Sequence, residues 1–173
     1  LTFWNTLREY TPEDETRILL KTQSRLYERT TDTSVVLRNG LISLLDQSFP
    51  GVNKLFASSY RNALGHYKWI DFAKRFWHRD CVASLSLPAF SETYAKWCKR
   101  EGYLFSESDA HRIHSKAKEA VAVFPKNKST QAIIVQSINT LNAVYESLQV
   151  MRKEMDRLAS MLPEYDMVMG MHC

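Results

Sequence analysis

Between Thr130 and Leu162, apolar residues recur in alternating steps of four and three: Ile134, Ile138, Leu141, Tyr145, Leu148, Met155, Ala159 and Leu162, with Arg152 the one charged member of the series. A seam kept at this period over about four heptads stays on one face only of an α-helix, so the stretch predicts a long helix of coiled-coil grade. Pro163 stops it. Residues 164–173 then read as an apolar tail, expected to lead into a further domain.

A second long helix is predicted near the other end. Thr11-Pro12-Glu13-Asp14-Glu15 places a hydroxyl at an N-cap, proline at the first helical position and acids in the first turn, where the helix dipole favours them. Nothing halts that helix until Phe49-Pro50-Gly51, which allows up to about 37 residues and roughly 55 Å of length. Its second half is apolar (Val35, Val36, Leu37, Leu41, Ile42, Leu44, Leu45), its middle is polar from Glu28 to Ser34, and Gly40 is a weak point. A solvated middle between packed ends is expected.

Aromatic helices fill the interval. After a turn around Val52, the segment from Tyr67 to Leu85 puts Trp69, Phe72, Ala73, Phe76 and Trp77 on one helical face. Pro88 opens a helix carrying Phe90, Tyr94, Trp97 and Cys98, which Gly102 closes after Lys99 and Arg100. Ser106 with Asp109 three positions on resembles a capping box, and its helix runs through Ala110, Ile113, Ala117, Ala120, Val121 and Phe124 to Pro125. Residues 125–129 form a basic linker. No strand pair with a hairpin turn is evident, and Gly and Pro number only five each in 173 residues, so tight turns are few. The expected fold is all-α: a long N-terminal helix (1–51), a helical subdomain with its linker (52–128), a coiled-coil helix (129–163) and the tail (164–173). The long helices pair with each other or with those of a second chain, and the seam pattern does not choose.

No apolar run is long enough to span a membrane and no secretory leader opens the chain, so the expectation is a cytoplasmic protein without membrane contact. Cys81, Cys98 and Cys173 lack metal or redox spacing and are expected as reduced thiols. His111 and His114 share a helix face, yet a metal centre needs a complete ligand set, and Glu107 and Asp109 are equally explained as first-turn acids. His78-Arg79-Asp80-Cys81 brings a histidine, an acid and a thiol together only in sequence. Without a phosphate loop, nucleophile elbow or carboxylate cluster, the expectation is no catalytic residue, no bound metal, no cofactor and no small-molecule substrate.

Charge is more informative. The formal net charge is +4, and Arg61, Lys68, Lys74, Arg75 and Arg79 against Asp71 alone concentrate as much in one stretch. Tyr60, Tyr67, Trp69, Phe72, Phe76 and Trp77 are interleaved with it. Cations among aromatics suit phosphate neutralisation and base stacking, while the same aromatics at helical period suit a buried face with a solvated basic face opposite. A second stripe, Arg17, Lys21, Arg25 and Arg29, runs along the first helix and is interrupted by acids. A smaller cluster, Lys116, Lys118, Lys126 and Lys128, lies at a helix end and the linker.

Several stretches together resemble one family. They are Leu-Ile-Ser-Leu-Leu-Asp-Gln-Ser-Phe-Pro-Gly at 41–51, Lys68-Trp69-Ile70-Asp71-Phe72 running to Phe76-Trp77, Tyr94-Ala95-Lys96-Trp97-Cys98, and Leu162-Pro163-Glu164-Tyr165 with Val168-Met169. The chain resembles the central region of bacterial insertion-sequence transposases of the DEDD type, which have an amino-terminal RuvC-like domain and include the bridge-RNA-guided recombinases. The resemblance implies that the metal-binding acids lie in a domain upstream and the nucleophilic serine in one downstream, so the divalent metal and the DNA cleavage and strand transfer belong to parts this chain lacks. It also implies a helical linker that assembles the recombinase and holds its nucleic acids. The leading expectation is a non-catalytic helical piece, with Arg61, Lys68, Lys74, Arg75, Arg79, Arg17, Lys21 and Arg25 contacting DNA or RNA. Ile134, Ile138, Leu141, Tyr145, Leu148, Met155 and Leu162 would then form a homodimer or higher-oligomer seam. The competing expectation is a protein-interaction scaffold in which Arg152 selects a partner helix, and a helical metalloenzyme using His111 and His114 stands third.

Overall fold

The computed structural model describes residues 14–56, 62 and 64–165. Within them the chain is all-α, with no strand, and consists of α1 (Glu15–Ser48), a 3₁₀ turn (Val52–Lys54), α2 (Lys68–Arg75), α3 (Asp80–Ala83), α4 (Leu87–Glu101), α5 (Glu107–Glu119) and α6 (Lys128–Ala159). The two long helices stand at opposite ends of the chain with the aromatic helices between them in sequence, as the periodicity predicts. Pro12 lies outside the described residues, while Gly40 is accommodated inside α1 with open space around its Cα.

Three boundaries differ from the sequence reading. The segment from Tyr67 to Leu85 is not one helix: α2 ends at Arg75, and Phe76 leaves the helical region at φ −114°, ψ 56°. Tertiary hydrogen bonds take over there. The Arg79 amide donates to Ser48 O (3.1 Å), the Asp80 amide to His78 Nδ1 (3.1 Å), and the same ring's Nε2 reaches Phe124 O (3.1 Å). With Nδ1 accepting, the His78 proton sits on Nε2 and is donated to that carbonyl. The fifth helix stops at Glu119, not Pro125, because the Val123 and Phe124 amides both donate to Gln47 O (2.8 Å each). Finally, α6 begins at Lys128 and ends at Ala159, somewhat earlier at both ends than the seam suggests. At the first two boundaries a long-range partner outcompetes local propensity, which is worth only fractions of a kcal/mol per residue.

Other signals are met. Pro88 sits in the first turn of α4, Gly102 closes that helix at φ 75°, and the Ser106 hydroxyl caps α5 by accepting the Asp109 amide at 3.3 Å.

The chain divides into two compact units, one formed by Thr30–Gln149 and the other by Leu1–Arg29 with Val150–Cys173. The larger holds the core. Phe72 is wholly buried at its centre, stacked on Phe76 (4.6 Å between centroids) and in edge contact with Tyr94 (5.9 Å) and Trp97 (5.7 Å). Phe56 approaches the same ring at 5.1 Å, and Phe90, Tyr94, Trp97 and Tyr103 continue the stack. Leu41 and Leu45 of α1 and Ile134, Ile138 and Leu141 of α6 are buried in the same unit. In the smaller unit Leu158 is the buried apolar residue among those described, Ile18, Leu19 and Leu26 remain about half exposed, and Arg17 pairs with Glu164.

Candidate functional site

The loop residues Asn62, Leu64 and His66 meet α2, α4 and α6 of the larger unit around an open cleft of about 360 Å³, and a second cleft of about 310 Å³ shares three of its lining residues. The loop is shaped by one side chain. Asn62 Oδ1 accepts the Leu64 and His66 amides (3.0 Å each), the Asn62 amide returns to His66 O (3.1 Å), and the Gly65 amide donates to Asn62 O (3.0 Å). Gly65 adopts φ +84°, where side chains are disfavoured, and an added Cβ would fall 2.9 Å from the Gln149 amide nitrogen. The loop is thus seated against α6.

On the floor of the larger cleft lies Asp71. Its Oδ2 accepts the Tyr103 hydroxyl (2.6 Å), its Oδ1 accepts Asn142 Nδ2 (2.9 Å), and His66 Nδ1 stands 3.6 Å from Oδ2. The other nitrogen of His66 is 2.9 Å from Glu146 Oε1, so the imidazole sits between two carboxylates. Asp71 can only accept, which fixes the orientation of the Asn142 amide: Nδ2 faces the carboxylate and Oδ1, buried, has no hydrogen-bond donor. Lys74, Arg75, Arg100 and Glu101 line the walls with the edge of Trp97, and Arg75, Trp97 and Arg100 continue into the second cleft beside Lys96 and Thr93.

The walls are basic for a local reason that also makes them useful. Lys74 and Arg75 end α2, and Arg100 ends α4, each where the negative end of a helix dipole favours a cation. The fold brings these two termini to one cleft. Arg100 is 64% exposed with Nε 2.8 Å from Glu101, and Lys96 is 75% exposed and paired with Glu92 at 2.6 Å, which holds the Glu92 carboxyl below its usual range. Exposed ion pairs of this kind are screened by water and contribute little, so either cation can exchange its partner for a stronger anion.

The residues expected from sequence to contact nucleic acid fall into separate places. Lys74 and Arg75 are exposed on the cleft. Lys68 is not on that surface: its ammonium is buried, donates to Leu104 O at 2.8 Å, lies 3.9 Å from Asp109 and covers the Tyr94 and Phe56 rings. Arg79 is half-buried against Asp80 at 3.3 Å. In the smaller unit Arg17 is engaged with Glu164, while Lys21 and Arg25 are exposed on α1. Arg61 and Tyr60 lie outside the described residues. The interleaved aromatics Trp69, Phe72, Phe76 and Trp77 are core, so they offer no face for base stacking. The i, i+4 spacing of Lys96 and Arg100 was the available signal for two cations missing from the sequence assignment. Nothing in the sequence pattern joined Tyr103 and Asn142 to His66 and Asp71, from which they are far apart in the chain.

In the seam, Ile134, Ile138, Leu141, Tyr145 and Leu148 are buried within this chain, and Tyr67 packs edge-on against Tyr145 at 5.3 Å. Met155 and Leu162 are partly exposed. His114 Nε2 is 2.9 Å from Leu85 O, His111 is exposed, and the described residues contain no group of three or more His, Cys, Asp or Glu able to hold a metal. Among the described residues no helix is long and apolar enough to cross a membrane. Comparison with known proteins finds no family model, no curated protein and no solved structure that matches the chain.

Proposed function

We propose that this chain is a non-catalytic helical module that contacts the sugar-phosphate backbone of a nucleic acid through the two adjoining clefts walled by Lys74, Arg75, Lys96 and Arg100. The observation that carries the reading is the convergence of two basic helix ends on one open cleft, because solvent-exposed cations that share a concavity focus their field on a polyanion. Arg contributes planar, multi-donor recognition of phosphate, and Lys a point charge. The resemblance of the sequence to the central region of DEDD-type transposases is in keeping with this role, with chemistry assigned to acids and a serine on other domains. Self-association, in the same proposal, uses the apolar side chains left accessible in the smaller unit, Ile18, Leu19, Leu26, Met155 and Met161.

The test is a salt titration of binding to a single-stranded and a duplex oligonucleotide by the native chain and by a Lys74→Glu/Arg75→Glu/Arg100→Glu variant. Binding by the native chain should weaken steeply with salt. Loss of three contacts should lower the slope of log K against log[salt] by about two to three. Identical affinity and slope for the two proteins would remove the cleft from the interface and return its cations to helix-end electrostatics.

A further inference from the structure

We propose that His66 is a proton-operated brace: its imidazolium ties Asp71 of α2 to Glu146 of α6 and seats Gly65 and His66 on α6, and loss of the proton releases one of the two ties. This role is independent of what the cleft binds. The ring is only 11% exposed and lies between two carboxylates on different helices, with Nε2 2.9 Å from Glu146 Oε1 and Nδ1 3.6 Å from Asp71 Oδ2. Both neighbours accept. An imidazolium has an N–H on each nitrogen and meets both of them, whereas a neutral imidazole has one N–H and turns a lone pair toward the other carboxylate. The shorter contact keeps the neutral ring's proton on Nε2, which leaves Nδ1 facing Asp71 without a hydrogen. Turning the ring over does not help, because an acceptor stands on either side.

The Asp71 carboxylate cannot turn away, since it is held by the Tyr103 hydroxyl (2.6 Å) and by Asn142 Nδ2 (2.9 Å). The strain of a lost proton therefore falls on the chain that carries His66. Asn62 Oδ1 accepts the Leu64 and His66 amides and so shapes that chain without fastening it to α6, and on its other side Tyr67 is fixed by its edge contact with Tyr145. What seats it on α6 is the packing of Gly65 on Gln149 and the ring itself. Other charges face the same cleft: Lys74 and Arg75 from α2, and Arg100 with its partner Glu101 from α4. These cations favour a neutral ring and Glu101 a charged one, but the two groups in contact with the ring are carboxylates, and Coulomb attraction falls with distance. Imidazoles change charge between about pH 5 and 8, so the seat is firm at the lower end of that range and loosens toward the upper. The charge of the cleft follows. With the proton, the ring offsets one of two negative charges beside the basic walls, and without it both carboxylates oppose an incoming anion.

The experiment is amide hydrogen exchange of the native chain at about pH 5.5 and about pH 8, each rate divided by the intrinsic rate at that pH. Between the two, protection of the Gly65 and His66 amides should fall about fivefold, the factor that one lost ionic contact supplies, while that of Ile138 in α6 stays constant. Glu146→Gln, at a half-exposed position, should remove the pH response, because a carboxamide also donates: it can give an N–H to Nε2 of the neutral ring, whose own proton then goes from Nδ1 to Asp71. His66→Gln should show no response either. Protection of Gly65 and His66 that does not change with pH in the native chain overturns the brace. A response retained by either variant assigns it to another group and overturns it too, as does a fall shared equally by Ile138, which would report unfolding of the whole unit.

Discussion

Tyr94 carries a phenol into the centre of the core, where its oxygen has no hydrogen-bond partner of ordinary geometry beside the Cys98 thiol. Burial pushes the Tyr94 phenol far above its ordinary value of 10.0 and raises the Cys98 thiol above 9.0. In both groups the folded state holds the proton more tightly than the unfolded chain. Unfolded chains therefore lose these protons first as pH rises, and stability falls above about pH 9 to 10 while being unaffected by these groups at neutral pH. Thermal melts should show that alkaline decline, and Tyr94→Phe should reduce it. Because the variant also removes a buried hydroxyl without a partner, its melting temperature at pH 7 should match or exceed that of the parent. A large loss at pH 7 would mean that the oxygen has a partner in solution. Lys68 teaches the opposite lesson about single residues. In sequence it is one cation of a basic run, and in the fold it is the tie between Leu104 O, Asp109 and two rings, because a long side chain one helical step from Trp69 and Phe72 is carried inward with them.

At the scale of the element, what was legible was what is local. The two long helices, the cap at Ser106, the stop at Gly102 and the aromatic faces follow from spacing and composition, and each forms where those signals lie. What was not legible depends on partners far away: the break after Arg75 follows from Ser48 O and Phe124 O, and the early end of α5 from Gln47 O. The candidate site shows the same division. Lys74 and Arg75 stood out as neighbours in sequence, whereas Asp71, Tyr103 and Asn142 meet only after folding. The seam of α6 illustrates why a heptad pattern does not specify its partner. Leu141 is fully buried within its own chain, so Leu141→Asp should unfold the protein, at a cost above about 4 kcal/mol, and does not report on association. Met155→Asp is the informative change. If the smaller unit mediates self-association, sedimentation should show a lower mass for Met155→Asp with an unchanged circular dichroism spectrum, and an unchanged mass would exclude Met155 from that contact.

For the molecule as a whole, the two compact units differ in what holds them. The larger buries the aromatic stack and the apolar faces of α1 and α6, and the smaller has Leu158 as its buried apolar residue among those described. Local stability follows apolar burial, so amide exchange should be slow at 41–48 and 134–148 and at least about tenfold faster at 15–29 and 150–159. Uniform protection along both long helices would contradict that division. The Asp71 carboxylate joins three residues, His66, Tyr103 and Asn142, and this gives the protein's tolerance of change a particular form. Positions 66, 71, 103 and 142 do not vary independently: once any one of them is replaced, the partners left behind alter which substitutions the other three accept. Exchanging two of them together is therefore expected to differ from the sum of the two single exchanges by about 0.5–3 kcal/mol, in either direction.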